Sequence, residues 1–360
     1  LTRTGAALAL SLAVALINMQ NWPWIDRHAP KIGSLIMPWS YVVNSVRYYN
    51  SERKRNRKEI PLPDARIATD SRDVCVLVIG ESARRANFSL YGYGRPTNPL
   101  LERDSVTALM ADAAATYTTA GVKAILDHKP TNKLYEILPN YLYRNGVDVV
   151  WRSANWGEPP LHIDKYYGTR ELKARYPEAD DRYDGILLAG LRDEILSSDK
   201  DKLLIVLHTS TSHGPTYYKK YPAEFEAFKP VCTTVEMSKA DPGELMNAYD
   251  NTIVYTDYLI HSVIEILRDV PRRSCLIFVS DHGESLGEGN LYMHGVPMLV
   301  APKEQIEIPF LVWTSDGELK ADAGKQVGQY HVFHSILRFL GIDSPVYDES
   351  RDIFSPSEKE

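Results

Sequence analysis

The chain has 360 residues, with 41 basic and 47 acidic side chains, a net charge of −6, and 44% hydrophobic and 24% charged content. These values are ordinary for a globular protein and exclude a disordered, collagenous or coiled-coil chain, while the negative balance leaves no polycationic footprint for nucleic acid. The 3 cysteines exclude a disulfide scaffold and a Cys-rich zinc module.

No residue between Gly5 and Ile25 is charged. As a helix this stretch reaches across the ~30 Å core of a bilayer. Trp22 and Trp24 stand at its far end, where amphipathic aromatics prefer the membrane interface. Residues 1–25 are therefore expected to be a transmembrane helix, the last span of a longer membrane region, since the chain opens on Leu rather than Met. A signal peptide fits less well, because the basic leader is poor and no small-x-small cleavage site follows. Residues 26–70 carry scattered charges and a basic run from Glu52 to Glu59, read as a membrane-proximal helical hinge. That run is either a solvated helix face or a contact for anionic headgroups. Pro61 and Pro63 break it, and residues 71–360 are expected to form one large domain.

Within that domain, short apolar runs alternate with helical patterns. The runs are Val74 to Gly80, Val147 to Trp151, Lys202 to His208, Ser274 to Ser280 and Ile308 to Trp313. They are rich in β-branched residues and unbroken, as strands buried on both faces should be. Helix candidates lie between them, notably Asn132 to Asn145 and Glu244 to Arg268. The alternation predicts an α/β fold with a mostly parallel sheet and helices on both faces.

Ligands of open α/β sheets bind beyond the carboxyl ends of the strands. Three of these strands end in polar residues: Glu81-Ser82 after the first, His208 at the end of the third with His213 beyond it, and Asp281-His282-Gly283-Glu284 after the fourth. His294 follows in a glycine-rich segment. Carboxylates, an Asp-His pair and further histidines converging on one edge suit a divalent metal of the zinc type. Any one of them alone could be a cap or a structural residue; their recurrence at strand ends is the signal. His331 and His334 sit in an amphipathic helix pattern and are read as packing or surface residues, and His28, His128, His162 and His261 are assigned structural roles.

The stretches VLVIGESARRANFSLYGYGRPTNPLL, HTSTSHGPTYYKKYP, NAYDNTIVYTDYLI and SDHGESLGEGNLYMHGVPMLVAPKEQIEIPFLVW resemble the motifs of the phosphoethanolamine transferases, almost without gaps. The resemblance runs from residue 71 to about 345 and is nearest to the lipid A enzymes, including the mobilised colistin-resistance type. It implies an alkaline phosphatase/sulfatase-like domain in the periplasm, anchored in the bacterial inner membrane. It implies Zn2+ held by Glu81, Asp281, His282 and a threonine, with His213 and His294 around the phosphate group and a second metal; His208 is a weaker candidate for that region. The implied nucleophile comes from AATYTTAGVKAIL, Ala114 to Leu126. Alignment on Val122 puts Thr118 in that place and Thr116 at the preceding threonine; Thr119 takes it if the helix begins one residue later. A helix start there favours phosphate, because free backbone N–H groups and the dipole's positive end face it.

Departures from the family pattern are informative. The cysteines that flank the family's nucleophile loop correspond to Ala114 and Ala124. The partner position of Cys232 is Ala240, and Cys75 and Cys275 lie in predicted strands, so no disulfide is expected. Asn155 matches a family asparagine near the donor site, while Pro159 stands where colistin-resistance enzymes carry a lysine. The implied activity moves phosphoethanolamine from phosphatidylethanolamine to lipid A or another envelope glycan through a covalent threonine intermediate, by a chain expected to act as a monomer. Masking a phosphate with an amine weakens attraction for cationic peptides. The alternatives are a glycerol-phosphate transferase of the lipoteichoic acid synthase type and a degenerate, non-catalytic lipid-binding domain. A sulfatase is disfavoured because no cysteine lies in the C/S-x-P-x-R context that its nucleophile needs.

Overall fold

The structure is a computed structural model that describes residues 2–17, 41–42, 44–49, 57–317 and 319–354. It divides into two compact units, Leu1–Glu59 and Ile60–Glu360. In the first, helix α1 spans Thr2–Ile17, and Leu10, Leu12, Leu16 and Ile17 are all exposed on it. Among the described residues no helix is long and apolar enough to cross a membrane. The expected span was longer; its residues 18–25, His28 and most of the expected hinge lie outside the described residues.

The second unit begins at Ile60, ahead of the expected boundary at residue 71. Ile60 pairs with residues 134–136: its N–H donates to Leu134 O at 2.8 Å and its carbonyl accepts from Glu136 N at 2.9 Å. Strand β1 (Arg66–Ile67) pairs antiparallel with β12 (Ile342–Asp343). Eight strands form the central sheet: β2 (Asp73–Gly80), β3 (Thr107–Asp112), β4 (Asp148–Ser153), β5 (Lys165–Gly168), β6 (Lys202–His208), β7 (Arg273–Ser280), β10 (Glu307–Thr314) and β11 (Gln326–Gly328). Their spatial order is β11-β3-β10-β7-β2-β6-β4-β5. Neighbours run parallel except at β10, which is antiparallel to both β3 and β7. The sheet is therefore mixed, and β3, β5 and β11 were not among the predicted strands.

The alternation of side chains along a strand splits the core in two. Cys75, Leu77 and Ile79 of β2 enter one apolar cluster, with helices α2 (Thr118–Leu126), α3 (Leu138–Arg144) and α5 (His331–Phe339). Val74, Val76 and Val78 enter the other, with helix α4 (Pro242–Arg268). Helix α4 starts just ahead of its predicted position, because Pro242 occupies its first turn and the Asp241 carboxylate accepts from Gly243 N and Glu244 N. Helix α3 is shorter than predicted, with Pro139 in its first turn; residues 132–137 are loop. All 3 cysteines are buried and unbonded, and Cys75 stands opposite Cys275 in the β2–β7 register.

Register fixes what the carboxyl edge presents. Ile79 pairs with His208, and Gly80 with Ser280. The residues that follow β2, β6 and β7 therefore leave the sheet side by side.

Candidate metal centre

Beyond Gly80 the chain turns at Ser82, a non-glycine residue at φ 54°. A left-handed backbone at such a residue costs roughly 1–3 kcal/mol and persists only where its surroundings hold it. Here the Tyr249 hydroxyl donates to Ser82 O at 2.7 Å, Ser82 N donates to Asp281 Oδ1 at 3.0 Å, and Ser82 Oγ donates to Glu81 Oε1 at 2.7 Å. The turn aims Glu81 across the sheet edge. Asn155, just past β4, donates from Nδ2 to Glu81 Oε2 at 2.8 Å and to Thr209 O at 2.7 Å.

Asp281 and His282 follow β7 and are fully buried. Asp281 Oδ1 accepts from Ser82 N and, at 2.7 Å, from His282 N. Its Oδ2 is buried with no hydrogen-bond partner. His282 Nδ1 is 2.8 Å from Gly283 O, which can only accept, so Nδ1 carries the proton and Nε2 offers a lone pair. That Nε2 lies 3.2 Å from Asp281 Oδ2 and 3.5 Å from Glu81 Oε1.

Thr118 is the first residue of α2. Its Oγ1 lies 3.3 Å from Glu81 Oε2 and 3.4 Å from His282 Nε2. One hydroxyl proton thus faces two acceptors, both at long range. The approach of α2 depends on Gly121, where a Cβ would stand 2.1 Å from Asp281 O. Gln329 ties the same loop to the sheet, donating from Nε2 to Ser280 O at 3.0 Å and to Asp281 O at 2.6 Å, and accepting from Ala114 N at 2.9 Å.

His294 follows the hairpin of β8 (Ser285–Leu286) and β9 (Tyr292–Met293). Its Nδ1 is 3.1 Å from Glu284 Oε2 and 3.4 Å from Ser82 Oγ. Its ring centroid is 4.2 Å from that of His282 and 5.5 Å from that of His213. The structure therefore brings Glu81, Thr118, Asp281, His282, His213 and His294 together. His208 stands apart, fully buried, with Nδ1 3.2 Å from Glu158 Oε1. Thr119 shares the start of α2, but no contact ties it to the acids; its methyl lies against Gly157.

The charges in this cluster are in conflict. Burial opposes ionisation of Glu81, but His282, His213, Asn155 and Ser82 outweigh it and bring the carboxyl down to about 2. Burial and the neighbouring Glu81 push Asp281 well above the usual carboxylate range. Burial holds His282 at about 4 and lowers His213, whereas Glu284 raises His294 in spite of its burial. Two buried acids beside a neutral imidazole call for a cation. A zinc-type ion fits the residues present: Asp281 Oδ2 has no other partner, His282 offers a bare nitrogen, and Glu81 and Thr118 supply oxygens. Glu81, His282 and His294 also have donor atoms within 4.8 Å of one another. A second group within that span, Asp104, His261 and Glu265, already holds a cation, because Arg268 Nη1 bonds both acids. A cavity of about 590 Å³, lined by Arg273, Phe339 and Tyr347 among others, contains none of the site residues.

Some supporting residues carried little signal in the sequence. Glu284 lies within the Asp-His-Gly-Glu run, and its position opposite a later histidine could have marked it. Gln329, in the turn after β11, and Tyr249, on α4, come from distant parts of the chain and had no local mark. Two of the histidines assigned structural roles have polar partners: His334 Nε2 is 2.7 Å from His128 O, and His261 Nδ1 is 2.8 Å from Asp104 Oδ2.

Comparison with known proteins gives the family and the fold. The sulfatase family model matches residues 73–342, and the phosphoethanolamine transferase EptA/EptB model matches residues 1–53. Phosphoethanolamine transferase EptA of Helicobacter pylori is 41% identical over 362 residues, covering 97% of this chain and 69% of that protein. The integral membrane lipooligosaccharide phosphoethanolamine transferase A of Neisseria meningitidis superposes with a TM-score of 0.77 at 29% identity, covering 97% of this chain and 70% of that one. The C-terminal periplasmic domain of EptC from Escherichia coli, solved in complex with Zn, superposes at 0.68 with 23% identity over 84% of this chain and 92% of that one, a likeness of fold.

Proposed function

The chain belongs to the phosphoethanolamine transferases, and from that premise we propose that it transfers phosphoethanolamine from phosphatidylethanolamine to lipid A or another envelope glycan, with zinc as cofactor and Thr118 as the covalent carrier. The observation that carries the reading is the threonine hydroxyl at a helix start, within 3.3 Å of one buried acid and 3.4 Å of an imidazole lone pair. The curated relatives are named phosphoethanolamine transferases, and the Escherichia coli EptC domain was solved in complex with Zn. Glu81, Asp281, His282 and Thr118 would hold the ion. Bound there, zinc supplies positive charge for the transferring oxygens and lowers the pKa of an otherwise weak alcohol nucleophile.

The chain's own residues do the rest. Thr118 gives up its proton to solvent, and its oxygen attacks the phosphorus of the donor. The bond from phosphorus to the diacylglycerol oxygen breaks, and His294, oriented by Glu284, protonates that oxygen as diacylglycerol leaves. The N–H groups at the start of α2 face the phosphoryl oxygens. An acceptor phosphate oxygen then attacks, the Thr118–phosphorus bond breaks, and the threonine regains its proton. His213, packed against His294, assists the entering oxygen. Catalysis is mainly orientation and charge.

The proposed setting is the bacterial inner membrane, with residues 1–25 as a span, the hinge ending before Ile60 and the unit from Ile60 onward in the periplasm. The exposed leucines of α1 support a lipid environment for that helix. Intact-mass analysis of the purified chain supplied with phosphatidylethanolamine tests the chemistry. The expected result is a phosphoethanolamine adduct mapped to Thr118, lost in Thr118→Ala and kept in Thr119→Ala. An adduct on Thr119, or none in the presence of zinc, refutes the assignment.

A further inference from the structure

The rim of the site carries an apolar projection for which the proposed chemistry has no use. Pro297 to Val300 form a β-turn closed by Val300 N donating to Pro297 O at 2.9 Å. Turn tips favour Gly, Pro, Asn, Asp and Ser. This tip carries Met298 and Leu299, 41% and 95% exposed, followed by Val300 at 57%. No residue from Gly295 to Pro302 is charged. The turn is fastened to the nucleophile loop, since Gly295 N donates to Thr116 O at 2.7 Å and Thr116 Oγ1 donates to Val296 O at 2.6 Å. Two exposed aromatics flank the same mouth. Tyr117, between Thr116 and Thr118, is 51% exposed. Trp156 is 61% exposed, its backbone N–H donates to Asn155 Oδ1 at 2.8 Å, and its ring meets that of His213 edge-on at 5.2 Å.

We propose that the Pro297–Val300 turn, with Tyr117 and Trp156 beside it, is a membrane-docking rim that inserts Met298 and Leu299 into the acyl layer of a glycerophospholipid bilayer. Uncharged apolar tips flanked by Trp and Tyr are what interfacial segments present to lipid, the aromatics resting at headgroup depth. The occupant follows from the substrate: this inference rests on the donor being a membrane lipid, whose scissile phosphodiester lies at the boundary that the aromatics would occupy. The related Neisseria meningitidis protein is an integral membrane protein, so its catalytic unit works beside a bilayer. Fastening the turn to Thr116 couples docking to the loop that carries Thr118.

The test uses the full chain in phosphatidylcholine vesicles, with Leu299→Cys labelled by a bimane fluorophore. The native cysteines are buried and leave this thiol open to selective labelling. Acyl-brominated phosphatidylcholine is expected to quench the label at least twofold, and aqueous iodide to quench it little. Val300→Cys should respond in the same way. Asp201→Cys, exposed just ahead of β6 at the opposite edge of the sheet, should show the reverse pattern. Circular dichroism melts matching the parent chain establish that each labelled chain is folded. Iodide quenching at residue 299 without bromolipid quenching means the turn stands in water and overturns the proposal. Protection from both quenchers means that protein covers it, either residues 1–59 or a second copy, and overturns it too. None of these readouts requires turnover. A chain that docks without forming an adduct would sink the transferase reading and leave the rim standing.

Discussion

Asp281 Oδ2 is the atom that most constrains the chemistry. A buried carboxylate oxygen without a partner is expensive unless a cation completes it. Its sister oxygen is committed to two backbone N–H groups, so the side chain cannot swing away to find another donor. Asp281→Asn keeps the shape, removes the charge and can turn an N–H₂ toward the ion. Zinc per folded chain, measured by plasma emission, should fall at least roughly tenfold, the lower end of what loss of supporting groups does to metal sites. A chelator should destabilise the parent chain by about 3 kcal/mol, the linkage expected of an ion held at about 100 times its dissociation constant. The Asp281→Asn chain should unfold at the same denaturant midpoint with or without chelator. Equal sensitivity of the two chains would remove Asp281 from the ligand set.

At the scale of elements, helix α2 must come close enough to bring Thr118 to the acids, and Gly121 permits it. In an exposed helix interior Gly→Ala stabilises by roughly 0.5–1 kcal/mol. Here the added methyl would stand 2.1 Å from a backbone oxygen of the Asp281 loop, which has no rotamer to yield. Gly121→Ala should therefore destabilise by about 1–3 kcal/mol, read by urea unfolding, and should lower zinc content as α2 and the loop move apart. A gain in stability would show that the loop gives way freely. The same scale explains what the sequence revealed. β2, β6 and β7 are buried on both faces and stand out as apolar runs, so their ends and Glu81, Asp281 and His282 could be found without a structure. β3 alternates buried and exposed side chains, and β5 and β11 are edge strands of four and three residues, too short for any period to emerge. The antiparallel sense of β10 leaves no mark in composition, because the direction of hydrogen bonding is set by partners, not by side chains. Thr118 became a candidate only through resemblance, since one threonine among several at a helix start has no distinctive pattern. Gln329 and Tyr249 reach the centre from positions far along the chain, which no local spacing encodes.

Over the whole molecule, the sheet separates its tasks by edge. The carboxyl edge collects the unsatisfied acid, the strained Ser82 and the bare imidazole nitrogen. The amino edge holds a buried ion pair whose lysine is fully bonded, although Asp73 Oδ1 has no hydrogen-bond partner. Lys202 and Asp73 face each other in the β2–β6 register, both fully buried, at 2.6 Å. Lys202 Nζ also donates to Thr69 Oγ1 at 2.8 Å and Ser71 O at 2.7 Å, so the start of β2 is tied to the chain that leads into it. Such a pair need not be more stable than two apolar residues, but removing one member strands a buried charge. Lys202→Met should cost roughly 3–5 kcal/mol in urea unfolding, because Arg273 at 3.5 Å offers Asp73 only a longer contact. Zinc content per folded chain should stay at the parent value, since none of these atoms touches the centre. The double variant Lys202→Met with Asp73→Leu should recover much of the loss. If Lys202→Met instead emptied the metal site while the fold held, the two edges would be coupled through β2, and the carboxyl edge could not be treated as a self-contained centre.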